Sequence, residues 1–281
     1  MSKIEKALNR AHAERGNLPT LSSVPGTGGA RPTGTALVVD RNSPSASPET
    51  IAKMAVGESR LLSAADLAQR GVIHQERASD PAVQVFRELR TKIVQRSQGQ
   101  NSVILVCGVS RGSGSSFVAQ NLGAAFAFDP GKTTLLIDCN LKSPNMHKMT
   151  GAPVLGLTDY LENPDLDLAK IIRPVGIARF RVITVGQRRD IPTESFTSAK
   201  MKDLIDSVRQ RFRERYIILD GPPMSDIADV RILSDLCDFV LVVARYGRVT
   251  GARIEHCLNT VSEKKLLGVV FNDEPSIPWF H

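Results

Sequence analysis

A turn rich in glycine and serine follows a short apolar run near the middle of the chain. Residues 103–106 are apolar and largely β-branched, as in a buried strand. The turn then reads Gly108-Val109-Ser110-Arg111-Gly112-Ser113-Gly114, in which backbone N–H groups can face one point because glycine has no Cβ. Apolar residues at helical spacing follow from Phe117. A strand, a glycine turn and a helix start in this order have the geometry of a phosphate-binding P-loop.

The end of this turn departs from the P-loop pattern at one position. The pattern requires Gly-Lys-Ser/Thr, whereas this chain has Gly114-Ser115-Ser116. The hydroxyl that would face a magnesium ion is present, but the lysine that would reach the β- and γ-phosphates is replaced by Ser115. A glycine-rich turn without a ligand is therefore the alternative. The residues of the turn that are candidates for nucleotide contact are Ser110, Arg111, Gly112, Ser113, Gly114, Ser115 and Ser116.

Two further apolar runs end on an aspartate. Residues 134–138 end at Asp138, and residues 216–220 end at Asp220, followed by Gly-Pro-Pro. Ligands of open α/β sheets bind at the carboxyl ends of the strands, and in P-loop enzymes such an aspartate holds magnesium or its water shell. Each aspartate alone could simply cap a helix. Because both follow the glycine turn, we predict that Asp138 and Asp220 form a magnesium site with Ser116 and are the catalytic residues if the protein is active.

The alternation of elements predicts the fold class. Strand-like runs lie at 134–138, 181–185, 216–220, 239–244 and 267–271, and helical runs lie at 117–128, 198–212, 230–236 and 251–261. A helix with apolar positions from Phe86 to Val94 precedes the first strand. This pattern predicts an α/β, P-loop NTPase-like fold with a mostly parallel sheet and helices on both faces.

The N-terminal part of the chain has a different character. Residues 1–16 read as an amphipathic helix with a capping-box pattern at Ser2 and Glu5. Residues 17–79 read as a low-complexity linker with weak helical periodicity, and residues 80–281 as the P-loop domain. An isolated helix of this length is marginal in water, so it requires a docking surface on its own body or on a partner.

Charge, cysteine spacing and the length of apolar runs limit the classes of function that the protein can have. The formal charge is +7, but lysine and arginine are scattered without interleaved aromatic residues, so we expect no nucleic-acid binding. The four cysteines occur singly and predict small buried side chains in a reducing compartment. No apolar run approaches 18 residues. We therefore expect a cytoplasmic protein that reaches the inner membrane only through a partner.

Residues 81–273 resemble the bacterial tyrosine kinases (BY-kinases), P-loop ATPases associated with capsular and exopolysaccharide synthesis. The resemblance is carried, in order, by Phe86-Arg87-Glu88-Leu89-Arg90, the glycine turn, Leu136-Ile137-Asp138, Ile218-Leu219-Asp220-Gly221-Pro222-Pro223 and Val269-Val270-Phe271-Asn272. It implies binding of ATP or ADP with Mg²⁺, contact between Asn272 and the nucleotide, and homo-oligomerisation through Arg87 and Arg90. It also implies a membrane polysaccharide co-polymerase (chain-length protein) as partner.

The departures from the family pattern concern phosphoryl transfer. The P-loop lysine is Ser115, the second acid of the Asp-x-Asp motif is Asn140, and the arginine two residues beyond is Lys142. The first residue of the oligomerisation motif is Gln84, and the tyrosine-rich tail is absent. Losing one donor aimed at developing charge typically costs on the order of 10²–10³ in rate. The pattern therefore predicts that efficient catalysis is lost, and it leaves two alternatives for the turn: it senses nucleotide, or it only preserves the fold.

Three functional hypotheses follow. The first is a degenerate, kinase-like regulator or scaffold of exopolysaccharide or capsule synthesis and export. The second is an active tyrosine autokinase or ATPase of the same system, which the intact Asp138 and Asp220 favour. The third is a positioning ATPase of the partitioning class, which normally carries a second lysine early in the loop, where this chain has Ser110.

Overall fold

A seven-stranded sheet forms the centre of the described part of the chain. The computed structural model describes residues 61–75, 80–150, 155–186, 193–211 and 214–275. In chain order the strands are β1 (Val103–Gly108), β2 (Thr133–Asp138), β3 (Arg173–Pro174), β4 (Phe180–Ile183), β5 (Arg215–Asp220), β6 (Phe239–Arg245) and β7 (Leu266–Asn272). Their order across the sheet is β3-β4-β2-β5-β1-β6-β7.

The neighbouring strands are parallel, except that β3 is antiparallel to β4. The parallel strands β1 and β5 are buried along their whole length, which explains the apolar run of β1 and the apolar centre of β5. The mostly parallel sheet predicted from the sequence is thus confirmed. β3 was not predicted, because two residues are too short to show a periodicity.

Helices cover both faces of the sheet. They are α1 (Ala64–Gln69), α2 (Pro81–Arg96), α3 (Ser115–Ala127), α4 (Leu157–Glu162), α5 (Ala199–Arg211), α6 (Ile227–Asp235) and α7 (Gly251–Leu258). Short 3₁₀ helices span Met146–Met149, Leu168–Lys170 and Thr193–Thr197. The apolar residues of α1, α2 and α3 share one core, and those of α4 to α7 share the core on the opposite face.

Local signals explain where the helices before and after the glycine turn begin. Asp80 caps α2, where its carboxylate accepts the N–H of Ala82 at 2.9 Å, and Pro81 occupies the first turn. The helix α3 begins directly after Gly114, without a side-chain cap. Its Gly123 lets the Phe180 ring approach, since a Cβ there would lie 2.6 Å from the ring. The helix after the turn is therefore packed tightly onto the sheet.

Residues 61–75 belong to this packed body although the sequence assigns them to the linker region. Leu67 and Val72 are each 2% exposed and lie in the same core as α3. The predicted helix at residues 1–16 lies outside the described residues. All four cysteines are buried with free thiols. Within the described residues, no helix is both long and apolar enough to span a bilayer.

Candidate nucleotide site

The glycine turn is folded around the side chain of Ser113. The Ser113 hydroxyl donates to the Ser110 carbonyl at 2.8 Å and accepts the Ser110 N–H at 3.1 Å. Gly112 and Gly114 have φ angles of +80° and +86°, in the left-handed region that favours glycine. Alternation of right- and left-handed residues turns successive N–H groups toward one concavity, which is a common anion-binding geometry. Left-handed glycines therefore occur within this turn, at two of its glycine positions.

Asn272, at the end of β7, supports this turn from the side. Its side-chain amide donates to the Ser113 carbonyl at 3.1 Å. A Cβ on Gly114 would collide with the same amide, so the two residues pack without room for another atom. The sequence places Asn272 among the nucleotide-binding residues, and the structure places its amide nitrogen on the loop backbone.

The two predicted aspartates are neighbours in the sheet. Asp138 ends β2 and pairs in register with Asp220, which ends β5. Both are fully buried. The carboxylate of Asp138 accepts backbone N–H groups from Asn140 at 3.2 Å, Asn145 at 3.0 Å and Met146 at 2.9 Å. Backbone donors of this kind stabilise a negative charge on Asp138.

Asp220 has the opposite environment. Neither of its carboxylate oxygens has a hydrogen-bond partner, although both are buried. Burial raises the pKa of Asp220 well above its usual range, and the nearby charge of Asp138 raises it further. The Ser116 hydroxyl lowers the pKa in part, but it makes no hydrogen bond of normal geometry to the carboxylate. A buried acid without a donor is an incomplete site, because an unsatisfied charge of this kind is costly.

Ser116 connects the glycine turn to the two acids. The side-chain amide of Asn145 donates to the Ser116 hydroxyl at 3.4 Å, while the Asn145 backbone holds Asp138. Oxygen ligands from one or two carboxylates suit Mg²⁺, which keeps several waters and binds phosphate oxygens as well. The orphaned oxygens of Asp220 and the adjacent hydroxyl therefore fit a magnesium ion, with Asp138, Asp220 and Ser116 as the residues that would hold it.

Asn140 and Lys142, which stand where the family has an acid and an arginine, contact other groups of the chain. The Asn140 side chain accepts the Ser143 N–H at 3.2 Å and so closes its own turn. Lys142 pairs with Asp226 at 2.9 Å and with Asp229 at 3.2 Å. These hydrogen bonds raise the pKa of the Lys142 ammonium. Lys142 is thus held beside the first turn of α6.

Arg111 and the two predicted oligomerisation residues lie outside this cluster. Arg111 is exposed at the tip of the glycine turn. Arg90 donates to the Ala125 carbonyl at 3.0 Å, so its guanidinium caps the last turn of α3. Arg87 is half-buried on α2. The structure therefore assigns Arg90 a contact within the chain.

Sequence reasoning missed Asn145 as a site residue. It lies seven residues beyond Asp138 in a turn that has no regular periodicity, and its contacts depend on how that turn folds back. The available signal was the turn-rich segment Lys142-Ser143-Pro144-Asn145 directly after a strand-ending aspartate.

The three tyrosines of the chain differ strongly in exposure. Tyr216 is fully buried and stacks on Phe126, with 4.0 Å between the ring centroids. Tyr160 is half-buried, and the ammonium of Lys200 lies 4.4 Å from its ring centroid. Tyr246 is 42% exposed, in the loop after β6. Its backbone N–H donates to the Asn272 carbonyl at 2.8 Å, which places it at the same edge of the sheet as the glycine turn.

The fold and the site together define an α/β protein of the P-loop NTPase class. No protein-family model matches the chain. The "Tyrosine-protein kinase CpsD" of Streptococcus agalactiae is 30% identical over 192 residues, which cover 66% of this chain and 80% of that protein. The "Tyrosine-protein kinase wzc" of Salmonella typhimurium is 31% identical over 198 residues, which cover 69% of this chain and 27% of that protein.

Solved structures agree with this relationship. The kinase domain of Escherichia coli tyrosine kinase ETK has a TM-score of 0.65 and 25% identity, and the match covers 73% of this chain and 81% of that chain. The BceF tyrosine kinase domain has a TM-score of 0.62 and 26% identity, with coverage of 71% and 80%. The chain therefore belongs to the bacterial tyrosine kinase (BY-kinase) family. It spans about a quarter of the length of the wzc proteins that it matches.

Proposed function

We propose that this chain is a degenerate BY-kinase that binds a magnesium nucleotide but transfers phosphate poorly. In this role it regulates or scaffolds bacterial exopolysaccharide or capsule synthesis and export. The observation that carries the proposal has two parts. The glycine turn, called the phosphate turn from here on, and the acid pair Asp138 and Asp220 are retained, while Ser115 stands in place of the lysine.

The retained features support binding. Gly112 and Gly114 have left-handed φ angles, and alternation of left- and right-handed residues is a common way to form an anion-binding concavity. Asp220 is a buried acid without a hydrogen-bond donor, and a bound magnesium ion would satisfy it. Magnesium would supply positive charge to the terminal phosphates of ATP or ADP. The chain's own contribution is to hold the phosphates on the loop amides and the metal on Asp138, Asp220 and Ser116.

The replaced features argue against efficient transfer. Phosphoryl transfer depends on positive charge placed around the γ-phosphate, and a serine hydroxyl carries none. Lys142, which follows the second strand, pairs with Asp226 and Asp229. The Asn140 amide closes its own turn and has no charge with which to act as a base. We therefore expect turnover to be reduced on the order of 10²–10³ relative to a loop that carries the lysine.

The first test is calorimetric titration of the full chain with ATP and with ADP, each with and without Mg²⁺. We expect micromolar binding that weakens when Mg²⁺ is omitted, since Asp138 and Asp220 would then repel the phosphates. The absence of binding up to millimolar nucleotide would refute the proposal that this is a nucleotide site. An Asp220→Asn variant is the control that separates metal-dependent binding from binding to the loop amides alone.

An active tyrosine autokinase is the second candidate, and two observations favour it. The acid pair is intact, and Tyr246 is exposed at the edge of the sheet that carries the site. Radiolabelled phosphate transfer from ATP to the chain itself, or to a partner, tests this candidate. Transfer no greater than that of an Asp220→Asn variant would eliminate it.

The proposed partner is a membrane polysaccharide co-polymerase. The support is that the chain's relatives are tyrosine kinases of the BY-kinase family. We propose recruitment from the cytoplasm to the inner membrane by this partner, together with homo-oligomerisation in which Arg87 takes part.

A further inference from the structure

Residues 61–75, which we call the strap, cross the helix that carries the phosphate turn. The strap contains α1, and its residues Leu62, Leu67, Val72 and Ile73 are all buried. They share one core with α3 and with the 3₁₀ helix Met146–Met149. The strap therefore lies against both elements that hold the nucleotide site.

The contact with α3 is centred on Asn121, which is fully buried. Its side-chain oxygen accepts the Ile73 N–H at 2.7 Å, and its side-chain nitrogen donates to the Gly71 carbonyl at 3.0 Å. Gly71 has a φ of +67°, and a Cβ there would lie 3.3 Å from the Phe117 ring. One amide on the phosphate-turn helix thus pairs with two backbone groups of the strap, which burial makes costly to separate.

The contact with the second element runs through Arg70. Its guanidinium donates to the Lys148 carbonyl at 3.0 Å, on the 3₁₀ helix. The first residue of that helix, Met146, donates its N–H to Asp138, and the preceding Asn145 donates to both Asp138 and Ser116. At the Leu62 end of the strap, Gly176 lets the Leu62 carbonyl approach closely, because a Cβ on Gly176 would collide with that carbonyl. The strap therefore bridges the two halves of the site without touching residues 108–116 in any of these contacts.

We propose that docking of the strap is coupled to the state of the nucleotide site. The docked strap fixes α3 relative to the turn that holds Asp138, and so favours the arrangement that binds Mg²⁺ and phosphate. Loss of this docking lowers nucleotide affinity, and by reciprocity bound nucleotide holds the strap in place. This coupling rests on the proposed nucleotide binding for its function, but its structural part does not require any nucleotide.

Hydrogen exchange of the full chain without nucleotide tests the structural part. The variant Arg70→Gln removes the contact with Lys148 and leaves every proposed nucleotide ligand unchanged. We expect exchange at the amides of residues 110–116 and 145–146 to accelerate by at least about fivefold, the lower end of typical coupling. Arg96→Gln, which replaces an exposed arginine at the end of α2, is the matched control and is expected to leave this exchange unchanged.

A second variant and a hydrogen-exchange measurement with bound nucleotide complete the test. Asn121→Leu keeps the branched shape of the side chain while it removes both bonds to the strap and the bond to the Phe117 carbonyl within α3, so it is expected to have the larger effect. In the wild-type chain, saturating Mg-ADP is expected to slow exchange at the Gly71 and Ile73 amides. The coupling is overturned if the strap variants exchange faster in residues 61–75 while residues 110–116 stay unchanged. Failure of ADP to bind would count against the proposed function alone, because the nucleotide-free comparison decides the coupling.

Discussion

Ser115 and Ser116 are the first two residues of α3. The family pattern has a serine or threonine at the position of Ser116, but a lysine at the position of Ser115. Ser116 keeps the hydroxyl that faces the acid pair, where it lowers the pKa of Asp220 in part. Ser115 offers a neutral hydroxyl where a cation is expected. The same residue type thus keeps the family's hydroxyl at one position and replaces the family's cation at the other.

Restoring the cation tests this difference. The variant Ser115→Lys is expected to raise phosphoryl transfer or ATP hydrolysis on the order of 10²–10³, because an ammonium stabilises the developing charge on the γ-phosphate. Turnover is measured with radiolabelled ATP in the full chain. Ser115→Gln is the matched control, since it is long and polar but neutral. Equal rates in the two variants would show that the missing charge is not what limits catalysis.

Asp220 is expected to reduce stability at neutral pH when Mg²⁺ is absent. Its folded-state pKa lies above the unfolded value, so the favourable contribution is complete below the unfolded pKa near about 4 and is lost as the pH rises through the folded pKa. Asp220→Asn should therefore raise the free energy of unfolding at pH 7 by on the order of 1–3 kcal/mol, and the gain should shrink toward pH 4.

Denaturant unfolding at several pH values, with EDTA and with Mg²⁺, measures this effect. Asp235→Asn, at the exposed end of α6, controls for the change in net charge. A stability gain in both variants would indicate a general charge effect rather than relief of a buried acid.

At the scale of single elements, the phosphate turn depends on two glycines with different surroundings. Gly112 and Gly114 both lie in the left-handed region, but no atom lies within 4 Å of a Cβ built on Gly112, whereas a Cβ on Gly114 meets Asn272. A substitution at Gly112 therefore tests backbone strain alone, whereas one at Gly114 tests backbone strain together with steric conflict.

Alanine substitution at these glycines should give unequal results. Gly112→Ala is expected to cost about 1–2 kcal/mol in stability from the left-handed conformation alone. Gly114→Ala is expected to cost more and to abolish nucleotide binding, because Asn272 must move and the turn with it. Urea unfolding and calorimetry measure the two effects. If Asn272→Ala fails to recover part of the loss in the Gly114→Ala background, the predicted steric conflict is wrong.

Two of the arginines on α2 are expected to have separate roles. Arg90 caps α3 through the Ala125 carbonyl, so Arg90→Ala should lower the free energy of unfolding by about 1.5–3 kcal/mol, as for hydrogen bonds to charged groups. Arg87→Ala should leave stability unchanged and reduce self-association. Thermal unfolding and sedimentation velocity distinguish the two outcomes. If both variants self-associate like the wild-type chain, the oligomerisation prediction from the family resemblance is wrong.

At the scale of the whole molecule, the order of the strands assembles the site. β5 lies between β1 and β2, so the phosphate turn after β1 and the acid of β2 meet on either side of Asp220. The strap then adds a connection from this site toward the N-terminal region.

Deletion of residues 1–16 tests the N-terminal end of this arrangement. We expect the shortened chain to keep its fold and nucleotide affinity and to lose capture by the cytoplasmic part of the co-polymerase, because the predicted amphipathic helix needs a docking surface. Pull-down and calorimetry on the same preparations measure both properties. Unchanged capture would show that the partner binds elsewhere.

Much of this protein could be predicted from its sequence. The apolar strands, the glycine turn, and the strand-ending Asp138 and Asp220 are local patterns, because burial on both faces and left-handed φ angles impose residue types directly. The substitutions Ser115 and Asn140 are likewise visible in the sequence, and they set the expectation of poor catalysis.

Only the tertiary structure decided which residues meet. It revealed Asn145 between Asp138 and Ser116, Arg90 on α3, and Asn272 against the phosphate turn. It also showed that residues 61–75, without strong periodicity of their own, pack on α3 through Asn121. These contacts join residues far apart in the chain, and their geometry depends on how turns fold back and how helices pack, which no local pattern of residue types encodes.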